Sequence, residues 1–128
     1  GFFRVHWTVD ARKLRGNDKQ AVSPTFDLPL GERLKVPFKM MIYPRCMNDT
    51  KGGASFKKAK GMGYVQLKCG AVLSDSAANV RFRLSIGDGA KEQPHRGPVS
   101  HNFAKHSVCG LPKEQEEWDF SSVVEAES

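Results

Sequence analysis

This 128-residue sequence predicts an all-β fold, an antiparallel β-sandwich, and three observations carry that prediction. Apolar residues recur at every second position in several separate segments, and Gly, Pro, Asn and Asp punctuate the gaps between them. No recurring helical pattern separates those segments, as a βαβ fold would require. The length suits one domain, 1–128, and is short for two independent cores.

Phe3, Val5, Trp7 and Val9 alternate with Arg4, His6, Thr8 and Asp10, the pattern of a strand with one buried face. Arg12 to Gln20 is polar, contains Gly16-Asn17-Asp18 and is expected as a surface loop. Ser23 to Leu28 forms a short strand entered through Pro24, which suits an edge. After a turn at Leu30-Gly31-Glu32, a long strand follows in which Leu34, Val36, Phe38, Met40 and Ile42 alternate with Lys35, Pro37, Lys39, Met41 and Tyr43. Within it, Pro37 predicts a bulge or an unpaired edge. Pro44 to Gly63 has no period and is rich in Gly and Lys, so a mobile basic loop is expected.

Alternation returns at Tyr64 to Cys69 and at Val80 to Ile86, giving two more half-buried strands. Gly87-Asp88-Gly89 closes the second of these, Pro94 to Pro98 extends the loop, and Val99 to Phe103 is the next strand. One short helix is expected near the C-terminus, at Pro112 to Trp118. Proline there suits the first helical position, and the glutamates that follow lie where a helix dipole favours negative charge.

Composition excludes several classes. No apolar run approaches the roughly 20 residues needed to span a bilayer, and the start lacks the regions of a signal peptide. Cys46, Cys69 and Cys109 are an odd set without a CxxC pair. They argue against a disulfide-stapled scaffold and favour an intracellular or organellar compartment without naming one. Charge is unevenly placed, with residues 1–70 carrying +9 and residues 71–128 carrying −3. From Glu114 onward the chain has acidic residues and no Lys or Arg, which weakens a reading based on nucleic acid alone.

Catalytic and metal signatures are weak. His101, His106 and Cys109 lack a neighbouring fourth ligand for a tetrahedral zinc site. Ser55 and Cys109 are nucleophile types, but no spacing selects a base and an orienting group, and a Gly-x-Ser-x-Gly elbow is absent. The run Gly52-Gly53-Ala54-Ser55-Phe56-Lys57-Lys58 lacks the Gly-Lys-Ser/Thr ending of a phosphate loop, and Gly87-Asp88-Gly89 has too few carboxylates for calcium. Asn48-Asp49-Thr50 is a glycosylation acceptor pattern that matters only for a secreted chain. No enzyme activity, cofactor or metal is therefore expected.

The order of segments resembles that of a MATH (TRAF-like) domain. The opening strand Phe3 to Val9, the element Ser23-Pro24-Thr25-Phe26 and the strand Lys35 to Pro44 ending in Tyr-Pro carry the likeness. So do Gly63 to Leu67, Val80 to Ile86 and the strand at His101-Asn102-Phe103. The chain departs from the family where Trp-Gly usually follows, since Val108-Cys109-Gly110 holds that place and Trp118-Asp119-Phe120 comes later. No closing strand is recognisable before Ser128, so the resemblance implies a sandwich lacking its last strand or completed from elsewhere.

The resemblance further implies a protein-binding module that docks an extended peptide on a sheet face or edge, or a peripheral subunit of a larger assembly. The positions it points to are Tyr64, Phe82 and His101, with Trp118 and Phe120 aligned less securely. From alternation alone, Tyr64 falls on the exposed side of its strand, while Phe82 is more readily a core position. The alternative is a nucleic-acid-binding β-module using Lys57, Lys58, Lys60, Lys68, Arg81 and Arg83, expected to share one basic face.

Overall fold

A computed structural model of the chain describes residues 3–30, 35–45, 55–74 and 79–124. Among these residues 40% are strand and 14% lie in short 3-10 turns, and all pairing is antiparallel. The class is therefore mostly β. The strands are β1 (Ala21–Val22), β2 (Phe26–Pro29), β3 (Lys35–Pro44), β4 (Met62–Cys69), β5 (Asn79–Leu84), β6 (Arg96–Asn102), β7 (Val108–Gly110) and β8 (Trp118–Asp119).

The long strands β3 and β4 form the spine, in register from Phe38 opposite Cys69 to Pro44 opposite Gly63. Each outer flank of this pair carries an interrupted strand. β1 and β2 share the flank of β3, and β7 and β8 share the flank of β4. Between β1 and β2 the pairing on β3 slips by one residue, because Ser23-Pro24-Thr25 is a bulge. There Ser23 answers for the proline: its N–H donates to the Met40 carbonyl (2.8 Å), and its Oγ accepts from the Met40 N–H (2.8 Å). The short strand foreseen at Ser23 to Leu28 is thus split, and its ladder begins at Phe26.

Pro37 is neither bulged nor at an edge. It pairs in register with Asp27, and its carbonyl accepts from Gly70 N–H (2.8 Å). Its missing N–H faces the rung just beyond Cys69, where β4 has ended.

Side chains on one face of the six-stranded sheet build the core. Val36, Phe38 and Ile42 on β3 and Val65, Leu67 and Cys69 on β4 are all buried. The separate two-stranded ladder of β5 and β6 turns Val80, Phe82, Leu84 and Val99 against the same two apolar clusters. Its register slips between Phe82 and Leu84, where Gly97 at φ +113 takes a conformation that favours glycine. The strand foreseen at Val80 to Ile86 ends as a ladder at Leu84, though Ile86 still packs on the core. The next strand starts earlier than foreseen, at Arg96.

Three further expectations are corrected. Phe3 to Val9 forms no strand among the described residues. Trp7 and Val9 pack against the core, whereas Phe3 is 67% exposed and nothing pairs with the segment. In place of a helix at Pro112 to Trp118 there is a single 3-10 turn, Lys113–Gln115, with Pro112 at its N-cap; the chain then enters β8. The loop foreseen as mobile contains an anchored piece, residues 55–61. Phe56 is fully buried, Ser55 Oγ caps the turn through Lys58 N–H (3.1 Å), and Lys60 at φ +55 with Gly61 at φ +83 ends it. Cys46, Asn48-Asp49-Thr50 and Gly52-Gly53-Ala54 lie outside the described residues.

Candidate functional site

The β4 flank decides what the sheet can bind. Cys69 N–H donates to Ser107 O (2.8 Å), and Leu67 lies opposite Cys109 in the same register. Successive residues of an antiparallel strand point their backbone groups to opposite sides. The N–H and C=O of Val108 and Gly110 therefore face away from β4. Among the described residues no strand pairs with β7 on that side.

The other edge of the sheet is blunted by Pro24, Asp27 and Pro29, the kind of residues that discourage added strands. β7 carries neither proline nor charge.

On the face of the sheet turned from the core, β4 presents Gln66 and Lys68 beside β7 and Tyr64 beyond the end of β7. Tyr64 is half-buried and stacks on its cross-strand partner Tyr43, ring centroids 5.3 Å apart and planes 25° apart. A cleft of about 250 Å³ lies beside it, lined also by Arg45, Gly63, Glu116 and Glu117, where Arg45 meets Glu117 at 2.9 Å. That ion pair is largely exposed and contributes little to stability.

The other positions implied by the resemblance fall elsewhere. Phe82 is half-buried on the core side of β5, as its alternation foresaw. His101 lies opposite Val80 on the core side of β6, its ring edge-on to Phe103 with centroids 4.6 Å apart. Its Nε2 lies 2.9 Å from the His106 carbonyl oxygen, an acceptor, so Nε2 carries a proton. Trp118 and Phe120 are 2% and 5% exposed, so they are core residues and present no contact surface. The five side chains therefore do not form one surface.

Nor do the six basic residues. Lys68 is exposed on β4 of the six-stranded sheet, and Arg81 and Arg83 are exposed on β5 of the separate two-stranded ladder. Lys57, Lys58 and Lys60 sit on the turn at residues 55–61. The single basic face foreseen from the sequence is absent among the described residues.

The nucleophile types have other surroundings. Ser55 is buried and serves as a cap. Cys109 Sγ donates to the Gly110 carbonyl (3.4 Å), and burial raises its thiol above the ordinary 9.0, away from the reactive thiolate. Among the described residues no three His, Cys, Asp or Glu side chains converge on a metal-sized site, and no helix is long and apolar enough to cross a membrane.

No family model, curated protein or solved structure matches this chain. Sequence reasoning missed β7 itself and the stacking partner Tyr43. A three-residue strand is too short to show a period, although Tyr43 was visible as the polar-side end of the long alternating segment.

Proposed function

We propose that the chain is a non-catalytic protein-binding module, a MATH-like β-sandwich that takes an extended peptide as an added strand on β7. The observation that carries this reading is the side of β7 with no strand partner among the described residues, where the backbone N–H groups of Val108 and Gly110 and the Val108 carbonyl face outward beside Gln66 and Lys68 of β4. An extended peptide hydrogen-bonded there draws affinity from its main chain, and its alternate side chains meet Val108 and the outer face of β4. The sandwich reading is supported by the β5–β6 ladder, whose apolar side chains meet the same clusters as the larger sheet. A non-catalytic role accords with Ser55 serving as a cap and His101 holding the His106 carbonyl. The nucleic-acid alternative loses its main support, because the basic residues lie in three separate places.

The test uses a library of random peptides panned on the wild-type chain and on Val108→Pro. Proline removes the outward donor and leaves the Leu67–Cys109 pairing in place. Sequences enriched on the wild type should bind Val108→Pro at least about tenfold more weakly, with circular dichroism and thermal melting unchanged. Peptides that bind a folded Val108→Pro equally well, or no enrichment at all, overturn the proposal.

A further inference from the structure

A second concavity lies away from β7, where the 3-10 turn Ala11–Arg15 meets the turn at residues 55–61 and the segment after β8. Its volume is about 440 Å³, within the range of roughly 300–1,000 Å³ usual for small-ligand sites. Ala11, Leu14 and Val124 supply an apolar floor, and Arg15, Lys57 and Lys60 supply three cations.

Backbone bonds hold these groups around one opening. Lys57 N–H donates to Gly16 O (2.9 Å), directly after Arg15, and Phe56 N–H donates to Asp18 O (3.0 Å). Lys57 and Lys60 both line the opening, Lys60 from a left-handed backbone conformation (φ +55) at the end of the turn. Gly61 closes the turn against Ser121, whose side chain leaves no room for a Cβ there.

The chemistry of the lining narrows the ligand. Among the described residues none of the three cations has a salt bridge, and no acidic side chain lines the cleft. Like charges held around one opening repel each other until an anion relieves them. No aromatic ring lines the cleft to stack a base, and the Ser121 hydroxyl already donates to Asp119 Oδ1 (2.5 Å). What remains is an apolar floor beneath a positive rim, the complement of a flexible apolar chain with an anionic end. The aliphatic stems of the lysines extend that floor while their ammonium groups stay wet.

We propose that this cleft binds an anionic amphiphile, an aliphatic chain ending in a carboxylate. The site does not involve β7 and stands independently of the peptide reading.

The test is a titration of the full chain with octanoate, decanoate and dodecanoate, followed by amide chemical shifts, with decanol and acetate as controls. Shifts should saturate at Gly16, Lys57, Lys60, Gly61 and Ser121. Affinity should rise by up to about fourfold per added methylene until the cleft is filled. Decanol should bind at least about tenfold more weakly than decanoate, and acetate should not bind.

The triple variant Arg15→Gln, Lys57→Met, Lys60→Met removes the three charges and keeps the apolar stems of the two lysines. It should weaken decanoate at least about tenfold and leave decanol unchanged. Ala11→Phe, which occupies the floor, should weaken both. Equal binding of decanoate and decanol, saturation at other amides, or decanoate affinity unchanged in the folded triple variant overturns the proposal. So does tighter binding at these amides by a Leu-Leu-Glu-Glu peptide, which would make the cleft a protein-docking site.

Discussion

Replacing Arg96 by Ala removes the clamp that holds the C-terminal segment onto β6. The guanidinium carbon lies 3.5 Å from the centre of the Trp118 ring, and Nη1 donates to the carbonyls of Gln115 (2.8 Å) and Glu117 (2.6 Å). A cation over a tryptophan is worth about 0.5–2 kcal/mol, depending on how far it is desolvated. Each hydrogen bond from a charged donor adds roughly 1.5–3 kcal/mol where water is excluded. Here Trp118 is buried but Arg96 is only half-buried, and water can replace the lost donor at both carbonyls. The expected loss is therefore about 3 kcal/mol, about 10 °C in Tm for a chain of this size. Arg96→Lys keeps the charge and loses the planar fork, so it should recover less than half of the loss. Urea unfolding followed by tryptophan fluorescence measures both. A loss below about 0.5 kcal/mol in Arg96→Ala, or wild-type stability in Arg96→Lys, refutes this account of how the segment is held.

Gly63→Ala places a Cβ against the Tyr43 carbonyl oxygen and 2.9 Å from Phe120 Cε2, so the β3–β4 pair must shift. Urea unfolding should show a loss of at least about 2 kcal/mol. Hydrogen bonds from the Arg12 side chain and backbone hold Asp10 at a pKa of about 2, below its ordinary 3.8. The interaction is thus complete above about pH 4 and is lost as the pH falls through 2. A carboxyl NMR titration should find that midpoint, and Arg12→Ala should return it toward 3.8. Alkylation of the Cys109 thiol, raised by burial, should show a pH midpoint above 9.0, and a midpoint near or below neutrality would contradict its surroundings.

The sequence revealed the core strands because alternation reports burial. Tyr64 to Cys69 appears as β4 with Val65, Leu67 and Cys69 inward, and Phe82 faces the core as its neighbours implied. Alternation does not report pairing, and Phe3 to Val9 shows the difference. Trp7 and Val9 reach the core from a segment that has no ladder among the described residues. Pro37 looked like an edge residue because the end of β4 at Cys69, one rung short, is a non-local fact.

The candidate site was less legible. Trp118 and Phe120 sit two apart on one side of the chain, and nothing local distinguishes a core pair from a groove pair. Lys68 and Arg81 both lie on the polar side of their strands, but the two strands belong to separate sheets, which alternation does not report. β7 was hidden by its length.

Amide hydrogen exchange along β7 tests the strand-addition claim most directly. In the free chain the Val108 and Gly110 amides should exchange fast, while Cys109, paired with Leu67, is protected. Saturation with a peptide enriched on the wild type should slow exchange at Val108 and Gly110 and leave Cys109 as it was. Peptide bound at saturation with those two amides still exchanging fast, or already protected in the free chain, would contradict it.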